Sequence, residues 1–328
     1  MKMTKKLLWI MAVSMLALAL CSCTIGSIYN TYENADQYTT GDAEISGNID
    51  HLDIGWLEGS VKIEYHAENT VIISETSTGA VSDETAVHWW LDGSTLRIRY
   101  AASNQSIIAN LNKQLTVILP ETQQMEGIHI SSTSADIECG DLSAEQVELS
   151  ATSGDIAVTC TAENIHISAT SGDLKCDILS AKQVELSATS GDITATCAAE
   201  NICMSATSGD LELTQTGETS RLVVTSTSGN IYVQSEQVGQ AELGSTSGEI
   251  TISCGKTPTQ LDIDSTSGDI KLCLPEGAEL TAEVSTTTGR FDTELAMKKD
   301  GSRYICGNGS SSVVISTTSG DVFVSERK

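Results

Sequence analysis

The sequence predicts an all-β solenoid, in which the chain coils into stacked rungs of short strands. A block of seven residues, Ser-Ala-Thr-Ser-Gly-Asp-Ile, is first complete at positions 150–156 and then returns along the chain. Its glycine recurs at intervals of 18 to 21 residues with one longer interval of 31: Gly154, Gly172, Gly191, Gly209, Gly229, Gly248, Gly268, Gly289 and Gly320. A fixed period of this length is typical of a repeat architecture.

Apolar residues alternate with polar ones inside each interval. After the first glycine, Ile156, Val158 and Cys160 alternate with polar residues, and the alternation resumes after a turn at Ile165 and Ile167. A period of two indicates strands rather than helices. We therefore predict about ten rungs of roughly 19 residues, each with two strands, stacked because one rung cannot bury its own inner face. An antiparallel β-sandwich is the alternative, but the uniform rung length favours parallel stacking.

Residues 1–23 are predicted to be a lipoprotein signal peptide. A positive end with three lysines precedes an apolar run at 7–20 that is too short for a stable membrane span. The run ends in Leu-Cys-Ser-Cys, which resembles a bacterial lipobox with Cys23 as the acylated residue. The prediction is an extracytoplasmic protein held at the cell membrane by a lipid such as palmitate on Cys23. A plain secretory signal or an uncleaved anchor is the alternative.

Three further regions follow the leader. Residues 24–44 are polar and aperiodic, as expected for a tether. Residues 45–125 are predicted to form an N-terminal β cap, which includes Trp56, Trp89 and Trp90 and closes one end of the array. Residues 126–328 are the predicted solenoid domain with a C-terminal rung or cap. The tryptophans are interpreted as cap core rather than as a ligand site.

The composition excludes one class of partner. The net charge is −26, and loss of the three leader lysines makes it −29. Binding to nucleic acid requires clustered Lys and Arg, so a nucleic-acid partner is not expected. A strongly acidic surface instead suits a soluble repeat kept apart by self-repulsion.

The cysteine pattern favours free thiols over disulfides. Eight cysteines follow the leader: Cys139, Cys160, Cys176, Cys197, Cys203, Cys254, Cys273 and Cys306. Most of them occupy positions at which other rungs have Val, Leu or Ile, where cysteine acts as a small apolar residue. Cysteines of neighbouring rungs would lie roughly 8 Å apart, which is beyond disulfide reach. One or two disulfides remain the minority interpretation, and no spacing supports zinc.

Two columns of polar residues recur on the outside of the predicted rungs. An acidic or amide residue follows most of the corners: Asp136, Asp155, Asp173, Asp192, Asp210, Asn230, Glu249, Asp269 and Asp321. A carboxylate column could bind calcium, but Asp beside Gly more often accepts hydrogen bonds from a turn. A threonine lies two positions before each glycine: Thr152, Thr170, Thr189, Thr207, Thr227, Thr246, Thr266, Thr287 and Thr318. This column could be a glycan-binding face, although a cross-strand ladder is the simpler interpretation.

No catalytic residue, metal site or cofactor is predicted. The five histidines are scattered, and the sequence contains no Gly-x-Ser-x-Gly, HExxH or glycine-rich phosphate loop. Two 33-residue segments, 142–174 and 179–211, differ at six positions, and such duplication argues against a unique active site. A glycan-active β-helix is an enzyme alternative by analogy of fold alone.

Several motifs resemble one family. They are Ile-x-Trp-x-x-Gly-x-Val-x-Ile at 54–63, Asp-Gly-Ser-Thr-Leu-Arg-Ile at 92–98, Leu-Thr-Val-Ile-Leu-Pro at 115–120 and the serial Thr-Ser-Gly-Asp-Ile rungs. Together they resemble the exported bacterial β-repeat family labelled "putative adhesin" (LiaG-like), whose function is unknown. The resemblance covers roughly residues 45–325 and implies an envelope-associated, solenoid-like domain.

The predicted function is therefore a non-enzymatic, lipid-anchored protein of the cell envelope or surface. It would be an adhesin or interaction module that presents a repetitive Ser/Thr/Asp surface to an envelope protein or a glycan. The competing hypothesis is an envelope-stress or signalling accessory that binds a membrane partner. Calcium binding is a further, less favoured hypothesis.

Overall fold

The computed structural model describes residues 29–106 and 111–327. The predicted signal peptide and Cys23 lie outside the described residues. Apart from one 3-10 helix at Ala35–Gln37, the regular elements are strands. The first nine are β1 (Tyr29–Asn30), β2 (Thr39–Thr40), β3 (Ala43–Ile45), β4 (His51–His66), β5 (Val71–Thr76), β6 (His88–Asp92), β7 (Thr95–Arg99), β8 (Gln105–Ser106) and β9 (Gln114–Pro120).

The repeat region continues with sixteen strands, several of which bend around a corner of the stack. The first eight are β10 (Met125–Ala151), β11 (Ile156–Thr161), β12 (Asn164–Ala169), β13 (Leu174–Ala188), β14 (Ile193–Ser208), β15 (Leu211–Ser228), β16 (Ile231–Ser247) and β17 (Ile250–Cys254). The last eight are β18 (Gln260–Ser267), β19 (Ile270–Leu274), β20 (Leu280–Thr286), β21 (Phe291–Thr293), β22 (Lys298–Asp300), β23 (Arg303–Cys306), β24 (Ser311–Ser319) and β25 (Val322–Glu326).

Successive rungs pair in parallel and in register, which confirms the predicted solenoid. Between β13 and β14, for example, Leu174 lies opposite Ile193 and Val184 lies opposite Ile202. Each rung contributes one segment before its corner glycine and one segment after it. We call the stack of segments before the corner sheet A and the stack after it sheet B. The parallel pairing excludes the antiparallel sandwich.

Within the described residues the stack holds twelve coils, two of them in the region predicted as an N-terminal cap. In spatial order, their sheet A segments are 95–99, 51–55, 127–131, 146–151, 164–169, 183–188, 201–206, 221–226, 240–245, 260–265, 312–317 and 281–286. Residues 45–125 therefore extend the parallel stack as well as covering its end. The motifs of that region lack the repeat block, which is why the sequence indicated about ten rungs.

The spatial order of the coils departs from the chain order at both ends. The first coil of the chain, β4, lies between the later coil β7–β9 and the repeat coil of β10. At the other end, the last coil, β24–β25, lies between β18–β19 and the earlier coil β20–β21. Each end of the repeat chain is therefore enclosed by another coil.

Antiparallel strands cover the open edges of the stack. At the N-terminal end, β5 pairs with β9 and β6 pairs with β7, and β3 and β2 lie outside them. At the C-terminal end, β23 pairs with β20 and β22 pairs with β23. Covering of this kind removes the unpaired edges through which sheets aggregate.

The corner glycine is required by contact between backbones. A Cβ atom added to Gly191 would lie 2.0 Å from the carbonyl oxygen of Gly172, and one added to Gly172 would lie 1.9 Å from that of Gly154. Real Cβ atoms do not approach backbone so closely, so these coils could not stack as they do with a side chain at position 172 or 191. The next residue inward is then a large aliphatic in coil after coil: Ile156, Leu174, Ile193, Leu211, Ile231, Ile250 and Ile270.

The N-terminal cap has its own aromatic and ionic core. Trp56 packs edge-on against Tyr100 with ring centroids 5.0 Å apart. The Lys113 ammonium is fully buried 4.0 Å from the Tyr100 ring centroid and pairs with the Glu75 carboxylate, while donating to the Thr85 carbonyl at 2.6 Å. A buried charge is tolerated only with such partners, so this pair ties β5 to the start of β9.

Residues from Tyr29 onward also lie on the cap, although the sequence predicted a polar tether over 24–44. β1 pairs with β8, and the Tyr32 hydroxyl donates to the Ala101 carbonyl at 3.0 Å. Residues 29–44, within the span predicted as a tether, are therefore part of the cap.

Candidate functional site

The outer face of sheet A carries an open trough of about 650 Å³. It crosses five coils, from Gln146 to Val223, and at ~4.8 Å per coil this corresponds to a length of about 19 Å. Because the coils are in register, the outward side chains form straight columns along the trough.

The first column consists of side-chain amides. It contains Gln146, Asn164, Gln183 and Asn201, and then Arg221. Each amide offers both donors and an acceptor, so the column can hydrogen-bond a ligand of either polarity. Regular spacing along the axis favours a ligand that is itself extended and repetitive.

The second column alternates histidine with glutamate in its first coils. His129 pairs with Glu148 at 3.2 Å, and His166 pairs with Glu185 at 3.5 Å, so each imidazole faces a carboxylate of the next coil. The side chains of Glu148 and Glu185 are 58% and 61% exposed, so solvent screens these pairs. They order the polar surface more than they stabilise the fold.

Cys203 replaces histidine in the second of the two duplicated segments. Its thiol is exposed in the trough, where desolvation by its neighbours and the negative charge of Glu185 raise its pKa, against a smaller opposing effect of Arg221. A raised pKa keeps the group as a thiol rather than the nucleophilic thiolate. The trough therefore lacks the electropositive setting that a catalytic cysteine requires.

The other cysteines of the described residues are also free thiols, as the pattern predicted. Five are buried, namely Cys139, Cys160, Cys176, Cys197 and Cys254, and Cys273 and Cys306 are half-buried. Burial raises the pKa of the Cys160 and Cys197 thiols to about 12. They are consequently unreactive core residues.

The aspartate column is engaged by the backbone. The Asp155 Oδ1 accepts the Asp173 N–H at 2.9 Å, Asp173 accepts that of Asp192 at 2.9 Å, and Asp192 accepts that of Asp210 at 2.7 Å. Each carboxylate thus bonds the next coil, which matches the structural interpretation of this column. Within residues 29–106 and 111–327, no group of three or more His, Cys, Asp or Glu side chains is arranged to hold a metal ion.

The threonine column is less accessible than the sequence suggested in the first coils. Three of its members are half-buried, namely Thr152, Thr170 and Thr189. Later members such as Thr207, Thr227 and Thr266 are exposed. The column therefore does not form one uniform hydroxyl face.

The remaining histidines have local partners. His51 lies 3.3 Å from Glu126, and buried His88 contacts the Ala86 carbonyl and the Thr40 hydroxyl at 2.9 Å and 3.2 Å. The five histidines are thus spread along the stack rather than brought together around one reacting centre.

The sequence motifs did not reveal the trough, because its residues occupy equivalent positions in successive rungs and do not form a contiguous motif. Outward positions 129, 148, 166 and 185 recur at the rung period and alternate His with Glu. Aligning the rungs and reading down that column would have identified it. Trp90 also differs from its prediction, because it is half-buried at the cap surface, whereas Trp56 lies in the cap core as expected.

These features define a β-solenoid with a repetitive polar face. The sequence matches the family model described as Toastrack DUF4097 over residues 49–197 and again over residues 161–325. The chain therefore belongs to the Toastrack DUF4097 family. No curated protein matches it.

Solved structures with similar chains carry related descriptions. A "putative adhesin" from Bacteroides fragilis NCTC 9343 is 11% identical, covers 88% of this chain and 97% of its own, and has a TM-score of 0.40. A "putative adhesin" from Parabacteroides merdae ATCC 43184 is 12% identical, with coverages of 89% and 97% and a TM-score of 0.35. A "putative lipid binding protein" from Parabacteroides distasonis ATCC 8503 is 13% identical, with coverages of 88% and 96% and a TM-score of 0.34.

Among the described residues, no helix has the length and apolar character needed to cross a membrane.

Proposed function

We propose that the protein is a non-enzymatic interaction module of the cell envelope that binds an extended glycan strand in the trough of sheet A. The observation that supports this most strongly is the trough itself, in which the amide column runs beside Glu148 and the His166–Glu185 pair over about 19 Å. Amide and carboxylate side chains can each bond sugar hydroxyls, and a repeating polymer matches their repeating register.

The proposed localisation is extracytoplasmic, with a lipid on Cys23 as the membrane anchor. The lipobox-like sequence supports it, and five residues separate Cys23 from Tyr29, the first residue on the cap. Six steps of at most ~3.6 Å would place the N-terminal cap within about 22 Å of the lipid. The solenoid would then stand with its cap towards the membrane.

The anchor is tested by Cys23→Ala. We expect the precursor to remain unprocessed, to lose incorporation of labelled palmitate and to leave the membrane fraction. Unchanged processing and unchanged membrane fractionation would show that Cys23 is not the anchor.

The trough is tested by reversing one charge within it. The chain from residue 24 onward is mixed with isolated envelope polysaccharide and, separately, with detergent-solubilised membrane proteins. Glu185→Lys should weaken sedimentation with polysaccharide by about tenfold, the equivalent of 1.4 kcal/mol. Glu212→Lys is the matched control, because Glu212 is equally exposed on the outer face of sheet B.

The same assay separates the competing function. Capture of one membrane protein by the wild type and by Glu212→Lys, but not by Glu185→Lys, with no polysaccharide bound, would favour a signalling accessory over a glycan-binding module. Equal behaviour of both variants would show that the trough is not the binding surface.

A further inference from the structure

A second cavity, separate from the trough, lies at the N-terminal end of the molecule. It has a volume of about 190 Å³ and lies between the segment 32–38 and the cap strands β6 and β7. Its residues come from segments that are far apart in sequence and lie outside the repeat block. Arg97 and Arg99 belong to β7 on the first coil of the stack, and the other residues come from β6 and from the segment 32–38.

One wall of the cavity is aromatic. The rings of Tyr32 and Tyr38 lie 4.6 Å apart at 51°, and those of Tyr38 and Trp90 lie 5.7 Å apart at 57°. The Tyr32 hydroxyl is fixed by its bond to the Ala101 carbonyl, and burial raises its pKa to about 12. The wall is thus uncharged at physiological pH and presents tilted ring surfaces.

The charged lining residues Asp92, Arg97 and Arg99 belong to a network of ion pairs that also includes Asp53. Arg97 bonds Asp53 at 2.6 Å and Asp92 at 3.3 Å, and Arg99 bonds Asp53 at 2.8 Å. Burial alone would raise the pKa of Asp53, but the hydrogen bond from Arg99 and the charges of Arg99 and Arg97 hold it below its ordinary value. The Asp53 carboxylate therefore stays ionised and holds both guanidinium groups in place.

The balance of charge restricts the class of ligand. Two arginines are offset by Asp53 and Asp92, and the exposed Glu33 adds one further negative charge at the rim. An anion would be repelled by these carboxylates, and a cation would be repelled by the two arginines. A neutral ligand rich in hydroxyls can use both kinds of group, since guanidinium donates and carboxylate accepts.

The volume restricts its size. At ~30 Å³ per water, 190 Å³ holds about six waters, well below the cavities of 300–1,000 Å³ that take drug-sized ligands. We infer that this cavity binds a single neutral sugar ring, whose C–H face packs on Tyr38 and Trp90 while its hydroxyls bond the Arg97–Asp92 edge. A ligand of about a dozen non-hydrogen atoms should bind with a dissociation constant on the order of 1 mM.

The experiment is a titration of the chain from residue 24 onward with methyl glycosides of glucose, galactose, mannose and N-acetylglucosamine. Binding is followed by saturation-transfer NMR and by tryptophan fluorescence, since Trp90 lies at the site. At least one glycoside should give a saturable signal. Absence of a saturable signal with all four would overturn the proposal.

Variants locate the site. Trp90→Ala and Arg97→Met should weaken binding at least tenfold, and Glu33→Ala, at an exposed position, should weaken it severalfold with an unchanged melting temperature. Tyr232→Ala removes an exposed ring elsewhere on the solenoid and should bind as the wild type does. A signal that persists in Glu33→Ala and Arg97→Met at full strength would place the sugar elsewhere. Glu185→Lys should leave this binding intact, so failure of the trough and failure of the cavity are distinguishable.

Discussion

The duplicated coils over 142–211 and the coils that follow them share one backbone path but fill its interior differently. In each rung, the residue three positions before the corner glycine points inward from sheet A. In the first region this column is alanine: Ala151, Ala169, Ala188 and Ala206. The same column in the second region carries buried hydroxyls that have no hydrogen-bond partner among the described residues: Ser226, Ser245, Ser265 and Thr317. The stacking of the backbone, rather than the chemistry of this column, therefore maintains the path of the coils.

A second interior column differs in the same way. Cys160, Leu179 and Cys197 are followed in the stack by Gln215 and Ser235. The Ser235 hydroxyl donates to the Gln215 Oε1 at 2.6 Å in a buried pair. The second region thus has a more polar core than the first, which predicts that it is the less stable part of the stack.

The largest expected effect tests whether the corner is the same in both regions. Gly191→Ala should cost about 3 kcal/mol of unfolding free energy, because its Cβ would lie 2.0 Å from backbone that cannot repack. Gly248→Ala has the same clash and a φ of +142°, so it should cost about 1–3 kcal/mol more. Urea unfolding measures both. Gly140→Ala is the control, since its Cβ would meet nothing within 4 Å; equal losses at 191 and 140 would contradict the argument.

The next effect tests the polar pair of the second region. Gln215→Leu should cost about 2 kcal/mol, because it leaves the buried Ser235 hydroxyl without its acceptor. The double variant Gln215→Leu/Ser235→Ala should recover at least half of the loss, since both polar partners are then gone. A double variant as unstable as the single one would show that the loss comes from packing instead.

Serine-to-alanine and alanine-to-serine substitutions in the inward column of sheet A should change the free energy of unfolding by smaller amounts, with opposite signs in the two regions. Ser245→Ala removes a buried hydroxyl that has no partner and should stabilise the fold by about 1 kcal/mol, whereas Ala188→Ser should destabilise it by a similar amount. Thermal unfolding of the two variants beside the wild type measures the difference. Destabilisation by Ser245→Ala would mean that this hydroxyl is satisfied, for example by buried water.

The smallest effect concerns the outer acidic column. Its run of aspartates ends at Asn230, which receives the same bond from Glu249 N–H at 3.0 Å that the aspartates receive from their neighbours. Asn230→Asp should therefore keep that bond but add a like charge beside Asp210, lowering stability by about 0.3 kcal/mol at low salt. At 1 M salt, where the Debye length is about 3 Å, the difference should vanish. A loss that does not depend on salt would assign the effect to the hydrogen bond that the Asn230 Nδ2 donates to the Asp210 Oδ1 at 3.2 Å, which aspartate cannot make.

The repeat could be predicted because its glycines recur at a nearly constant interval in the sequence. The glycine spacing and the alternation of residues such as Ile156 and Val158 fix the rung length, the two strands and the inward face. The corner role of Asp173 was also predictable, because Asp beside Gly commonly bonds local backbone.

What the sequence did not reveal depends on contacts between distant segments. Nothing in residues 51–66 indicates that they lie between 95–120 and the first repeat coil, since a strand with one buried face pairs equally well on either side. The cap cavity likewise needs Tyr32 beside Trp90, a pairing that follows only from how the cap folds. The columns of the trough were present in the sequence but become visible only when the rungs are aligned.

The enclosed position of the last coil has a consequence for the order in which the stack is completed during folding. Coil β20–β21 leaves the ribosome before β24–β25, yet its parallel partner in the stack is that later coil. Until residues 311–326 have been synthesised, the coil β18–β19 and the coil β20–β21 both lack the parallel neighbour that lies between them. The final strands thus close the stack, and a chain that ends before residue 311 would expose two unpaired strand edges through which it could pair with neighbouring molecules.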